Sequence, residues 1–337
     1  MSLIKRQRTD NGEHQSLIRS EGSGGRGKVL YNNAVVLEGH QGPALSARFN
    51  HRGSKIASGG MDRSILLWNL PVDEEDESPN YGELKGHKSA VTSLSWLYDD
   101  VTLFSGSADN TIGYWDAETG RRVRKGVGHE AVVNAVDIST DSIGASVSDD
   151  GCGFLWDQRD KNPIGTVKTE YPLLACKFNN QGSTLFMSGI EPTLCAYDIR
   201  ALEKPIWECP GQYEAITSIA VNSDDSIVLT RSMDGIIKTY SAKEFVPEGI
   251  SRLAPNSYEG APTGKEFQLI KACFSIDNVS IYSGSEDKTV TSWEFSSRKL
   301  INKYLGHRGT VVDVDYHPTE RIIISSSTDG SIIVREV

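Results

Sequence analysis

Twelve residues limit the folds open to this chain more than any other stretch: Ser105-Gly106-Ser107-Ala108-Asp109-Asn110-Thr111-Ile112-Gly113-Tyr114-Trp115-Asp116. Ser105 closes an apolar run (Val101, Leu103, Phe104), Ala108 to Thr111 carry turn residues, and Ile112 to Trp115 alternate toward an indole that folding can bury. By pattern this is a β-hairpin. Relatives of it recur from near residue 40 to the C-terminus, and a period of this size dictates the architecture before any local reading does. The anchoring acids Asp62, Asp109, Asp150, Glu191, Asp234, Asp287 and Asp329 stand 41 to 53 residues apart. An aromatic follows each by six residues except the last, where Arg335 stands, and Ser58, Ser105, Ser146, Thr230, Ser283 and Ser325 lie four residues before their acids.

These are seven units, each long enough for about four short strands, and no helical periodicity competes with that filling. The two longest intervals contain the acidic insertion Asp73-Glu74-Glu75-Asp76-Glu77 and the Pro- and Gly-bearing stretch 242–264, both expected as enlarged surface loops. After Asp329 only one strand fits (Ser331 to Glu336), while Ala34 to Leu37 form an orphan strand before the first unit. Pairing that N-terminal strand into the last unit would close a ring. The expected fold is therefore all-β, a seven-bladed propeller over 33–337, preceded by a disordered polar, Gly-rich tail at 1–32. In the tail, Lys5-Arg6-Gln7-Arg8 reads equally as an import signal, a phosphate contact or a solvated run.

A net charge of −10 and a pI near 5.3 argue against wrapping nucleic acid over a broad face. Only Arg121-Arg122 and Arg124-Lys125 form a local basic strand, so RNA contact is expected to be incidental. The five cysteines (Cys152, Cys176, Cys195, Cys209, Cys273) are odd in number and irregularly spaced, and read as reduced core residues of an intracellular protein. No window approaches the roughly 20 apolar residues of a membrane span.

Several positions recur together at fixed offsets. Gly39-His40 precedes Asp62 and Trp68-Asn69, Gly86-His87 precedes Asp109 and Trp115-Asp116, and Gly128-His129 precedes Asp150 and Trp156-Asp157. On these residues the chain resembles the WD40-repeat family over roughly 33–337. The resemblance implies one internal hydrogen-bonded tetrad per blade: His40, Ser58, Asp62 and Trp68; His87, Ser105, Asp109 and Trp115; His129, Ser146, Asp150 and Trp156. A Ser, His, Asp set also suggests a hydrolytic triad, but a nucleophile needs one activated site, whereas this set occurs three times, each time with a Trp. The expectation is no enzyme, no cofactor and no metal, since the histidines fall one per blade. Unit four has Met187, Glu191 and Tyr197 at the Ser, Asp and Trp positions. Unit five shows Gly211-Gln212 and Tyr240, unit six Gly264-Lys265, and unit seven Arg335 in place of Trp, so units four to six are expected to be locally weak.

The order of units, the Lys5-Arg6-Gln7-Arg8 tail, Ile65-Leu66-Leu67-Trp68-Asn69, Leu84-Lys85-Gly86-His87 and Ile322-Ile323-Ile324-Ser325 further resemble the WD-repeat subunits of the U5 small nuclear ribonucleoprotein. That resemblance implies a nuclear scaffold of pre-mRNA splicing, a monomer within the spliceosome, binding the large central splicing factor Prp8. A competing reading is a substrate receptor of a cullin-type ubiquitin ligase, from the paired Asp-x-Arg of Asp157-Gln158-Arg159 and Asp198-Ile199-Arg200; simple polar turns explain the same residues. The residues just before the anchoring acids stand at hairpin tips on one face, which makes Met61, Asp149, Met233 and Glu286 the candidate partner contacts.

Overall fold

The computed structural model describes residues 34–70, 79–210, 212–246, 252–264 and 268–337. The tail at 1–32 with its basic cluster, the acidic insertion 73–77, Gly211, Lys265 and residues 247–251 of the long loop lie outside the described residues.

The described residues form strands and turns without a helix, arranged as seven four-stranded antiparallel sheets. Six sheets are simple meanders, spanning 44–85, 91–127, 133–168, 173–210, 216–258 and 272–304. The seventh contains only three strands from the C-terminal end and takes its outermost strand, Ala34–Glu38, from the start of the chain. Ala34 pairs with Arg335 and the register runs unbroken to Glu38 opposite Ser331. The seven-bladed propeller is thus closed by its N-terminal strand.

Burial falls from the second strand of a blade to the outermost. Thr102–Ser107 and Ile322–Ser327 are buried at every position, because each is flanked by strands on both sides and by a neighbouring blade on both faces. Such strands read as continuous runs of small and apolar residues with no two-residue alternation. The outermost Arg121–Val127 keeps a single buried residue. The apolar core consists of wedges that straddle neighbouring blades. Trp68 of blade one packs with Leu37 and Ile324 of blade seven, and Trp115 of blade two with Ile65 and Leu84 of blade one. In six blades the innermost strand shifts register near its first residue, a bulge that bends it at the rim of the ring.

The seam between blades seven and one is also polar. Asp313, fully buried, accepts hydrogen bonds from Ser46 Oγ at 2.9 Å, Arg48 Nη1 at 2.8 Å, the Ala47 N–H at 3.3 Å and Lys271 Nζ at 3.3 Å. Burial disfavours its charge, but Arg48 and Lys271 outweigh burial and hold its carboxyl below the usual range. On the far end of the ring His317 Nε2 donates to the Gly53 carbonyl at 3.0 Å, latching blade seven to blade one a second time.

Candidate functional site: the hairpin-tip face

One end of the ring is built by the turns between the second and third strands, and the anchoring aspartates hold those turns. The residue after each takes a left-handed φ: Arg63, Asn110, Gly151, Gly235, Lys288 and Gly330. The aspartate Oδ1 accepts the N–H two residues on, as in Asp62 with Ser64 at 3.2 Å, Asp150 with Cys152 at 2.8 Å and Asp329 with Ser331 at 2.8 Å. Aspartate has the reach for this turn. Glu191 does not use its side chain so; there the Thr193 N–H bonds the Glu191 backbone carbonyl at 2.8 Å.

The second carboxylate oxygen faces the incoming Gly-His loop. Asp62, Asp109, Asp150 and Asp329 each accept the N–H of the residue after the histidine, from Gln41, Lys88, Glu130 and Arg308. In blades one to three the same oxygen meets the histidine Nδ1, at 3.0 Å for His40, 3.2 Å for His87 and 3.0 Å for His129. The histidine Nε2 then lies 2.9, 2.8 and 2.7 Å from Ser58, Ser105 and Ser146 Oγ. Trp68, Trp115 and Trp156 donate their indole N–H to those hydroxyls at 2.9, 2.7 and 2.7 Å. Only one proton arrangement satisfies all four groups: indole to hydroxyl, hydroxyl to Nε2, Nδ1–H to carboxylate. Burial opposes ionisation of Asp62, but the bonds from His40 and Gln41 outweigh it and leave its pKa at about 2; Asp109 and Asp150 are lowered for the same reason, and Asp329 is lowered with its bonds from Ser331 and the Arg308 N–H, His307 Nδ1 standing 3.8 Å away. Burial pushes His129 below its ordinary value against the pull of Asp150.

The remaining blades diverge. In blade seven His307 Nε2 meets Ser325 at 2.7 Å, while its Nδ1 turns to Ser331 at 2.9 Å. Arg335, at the tryptophan position, lies over Tyr304 instead and donates to the Leu305 carbonyl. In blade five Gln212 supplies the donor a histidine would have given, Nε2 to Thr230 Oγ1 at 2.7 Å, and leaves its own Oε1 and Asp234 Oδ2 buried without partners among the described residues. Blade six keeps Ser283, Asp287 and Trp293 at the expected spacing, yet Ser283 and Trp293 do not meet. The indole donates to the Glu259 carbonyl at 2.7 Å, and Ser283 Oγ takes Arg231 Nη1 of blade five at 2.8 Å. Arg231 is fully buried, and burial lowers it to about 10 against the support of Asp234, Glu286 and Asp287, so it remains a cation at neutral pH. Reading units one at a time missed it, since its partner lies in the next unit.

The four candidate contacts stand at equivalent turns. Met61 is 59% exposed and Asp149 is exposed, its Oδ1 accepting Asn134 Nδ2 at 2.7 Å. Met233 and Glu286 are half-buried, and Glu286 Oε2 covers Gly264, where a Cβ would lie only 1.9 Å away. The face therefore offers Met61 and Asp149 more freely than Met233 and Glu286. On the outer rim, Asp157 and Asp198 each close a turn by accepting the N–H of Arg159 (2.8 Å) and Arg200 (2.9 Å), as Asp116 does with Glu118 at 2.8 Å. Arg159 folds back onto its own Asp157 at 2.7 Å. In the basic strand, Arg122 lies over Trp115 and donates to the Gly86 carbonyl. Among the described residues no three His, Cys, Asp or Glu side chains converge as metal donors.

The WD40 profile (WD domain, G-beta repeat) matches residues 32–69, 79–116, 203–241 and 298–335. Pre-mRNA-splicing factor cwf17 of Schizosaccharomyces pombe is 37% identical over 305 residues, covering 90% of this chain and 87% of that protein. The U5 small nuclear ribonucleoprotein 40 kDa protein of Dictyostelium discoideum is 32% identical over 93% of this chain and 86% of its own, and that of Homo sapiens 34% identical over 90% and 83%. Among solved structures, the Cps50 (Swd1) β-propeller domain of Myceliophteria thermophila superimposes with a TM-score of 0.75 over 89% of this chain and 98% of that one, at 18% identity, which speaks to fold alone. By repeat, by closed ring and by similarity along nine-tenths of its length, the chain belongs to the WD40-repeat family that includes cwf17 and the U5 small nuclear ribonucleoprotein 40 kDa proteins.

Proposed function

We propose that the chain is a non-catalytic scaffold of pre-mRNA splicing, a nuclear U5 small nuclear ribonucleoprotein subunit that holds the large splicing factor Prp8 against its hairpin-tip face. The observation that carries this reading is the similarity over about 90% of the chain to proteins named as splicing factor and U5 40 kDa subunit. Chemistry supports the non-catalytic part. Ser105, His87 and Asp109 have the spacing of a hydrolytic triad, but Ser105 Oγ is fully buried and already accepts the Trp115 N–H, so no acyl carbon can approach it. A rigid ring with variable residues on fixed turns is suited to binding large partners.

Affinity purification of the tagged full-length chain from nuclear extract, with mass spectrometry and RNA analysis, tests the reading. Recovery of Prp8, other U5 proteins and U5 RNA is the expected result, weakened by the Met61→Glu, Asp149→Lys double variant at a temperature where circular dichroism shows it folded, since losing the Asn134–Asp149 bond lowers its stability. Recovery of a cullin and its adaptor without splicing components overturns it in favour of the ligase receptor. Unaltered recovery by the double variant moves the Prp8 contact off this face.

A further inference from the structure

Blade four lacks every member of the tetrad. Thr169, at the position of the missing histidine, has its hydroxyl 2.9 Å from the Gly151 carbonyl of blade three and 2.8 Å from the Tyr171 carbonyl, and donates to these. A cavity of about 270 Å³ remains between the 168–173 connection and the sheet of blade four. Its inner wall is apolar: Met187 and Tyr197, which stand where Ser and Trp stand in other blades, and Leu173 are buried, with Cys195 beside them and the exposed ring of Tyr171 at the mouth. Burial, with Glu208 and Glu191 nearby, pushes the Cys195 thiol up to about 12, so it is a protonated wall and no nucleophile.

The rim is acidic. Glu170, Glu191 and Glu208 are exposed around the opening against a single cation, Lys168, and none of the four is ion-paired among the described residues. Met187, Cys195 and Glu208 lie in register across three neighbouring strands, so the wall passes from apolar to acidic along one line. An apolar cavity of ~150 Å³ already holds a benzene ring, so this one has room for a large aliphatic or aromatic side chain.

We propose that the blade-four cavity binds a short extended peptide segment of a protein partner, inserting one large apolar side chain while flanking arginine or lysine residues meet the acidic rim. An apolar anchor in a pocket with a polar rim is how short segments obtain specificity. The site goes beyond the splicing reading, since it stands on the geometry of this blade and not on which complex the chain joins.

The test is fluorescence anisotropy of labelled heptapeptides with a central Arg-X-Arg against the full-length protein. Peptides with X as Leu, Met or Phe are expected to bind below about 1 mM, with at least about tenfold loss when X is Ala or when both arginines become Glu. Cys195→Trp, which fills the cavity, should remove binding. The Glu191→Lys, Glu208→Lys double variant changes only exposed rim residues and should do the same without unfolding. No binding by any Arg-X-Arg peptide, affinity independent of X, or unchanged affinity in the rim variant overturns the proposal, whatever the purification of splicing partners shows.

Discussion

Substituting serine by alanine at three positions of the second strands removes a hydroxyl from a buried site and changes little else, so the cost should track the partners left behind. Ser105 Oγ serves two groups, accepting from Trp115 at 2.7 Å and donating to His87 at 2.8 Å. Both partners are buried, and an orphaned buried polar group costs about 1–3 kcal/mol, so Ser105→Ala should cost about 2–6 kcal/mol. Ser325 serves His307 at 2.7 Å and has no indole partner because Arg335 replaces the tryptophan, so Ser325→Ala should cost about 1–3 kcal/mol. Ser326 Oγ is buried without a partner among the described residues, and Ser326→Ala should be neutral or stabilising by up to about 1 kcal/mol. Urea unfolding followed by far-UV circular dichroism reads the series as midpoints at constant slope. Equal midpoints for Ser105→Ala and Ser326→Ala, or a reversed order, would refute the account of the tetrad as a fastener.

Three other perturbations probe closure and charge. Gly53 has φ +72° and a Cβ there would lie 2.0 Å from the His317 ring, so Gly53→Ala should cost about 2 kcal/mol or more, and less in a His317→Ala background, checked by a double-mutant urea cycle. Deleting 33–38 removes the outermost strand of blade seven and Leu37 from its core, and should lower the melting temperature by many degrees with aggregation of the exposed edge; an unchanged melt would sink the closure scheme. Acid should weaken the fold in two stages. His129, held below its ordinary value, contributes stability that is present above about pH 6.5 and falls as the pH drops. Asp62, at about 2, and Asp109, Asp150 and Asp329, lowered likewise, contribute stability present above about pH 4 and lost as the pH falls through their folded-state values. Asp109→Asn should be less stable at pH 7 and show a shallower decline between pH 4 and 2; a parallel decline would remove Asp109 from the explanation.

What the sequence makes legible is whatever each unit must solve for itself. The Asp-turn recurs because a left-handed residue follows it and an N–H two residues on needs an acceptor, and both requirements are written within four residues. Closure is legible because strands can be counted at both ends of the chain. Contacts between units are not legible in this way. Asp313 collects donors from Ser46 and Arg48, which ring closure brings to it across as many as 267 residues, and from Lys271 next to the preceding blade. Arg231 takes over Ser283 from the neighbouring blade, so a motif that looks three-quarters intact in unit six is not a tetrad at all.

The same distinction explains where binding chemistry can arise. A tetrad uses up its own donors and acceptors, and a blade that has one presents a filled, inert interior behind its turn. Blade four has given up all four groups, and its sequence shows this only as Met187, Glu191 and Tyr197 out of place. In three dimensions a cavity stands there, lined by Thr169, whose hydroxyl reaches the Gly151 and Tyr171 carbonyls and not a serine and an aspartate of its own blade. Burial of Met187 and Tyr197 at the back of that volume shows that the sheet itself is packed, so the space is not a general loosening of the blade. A repeat that departs from its pattern in this way exchanges an internal fastener for a site able to accept an external side chain, and the acidic rim selects which segment brings it.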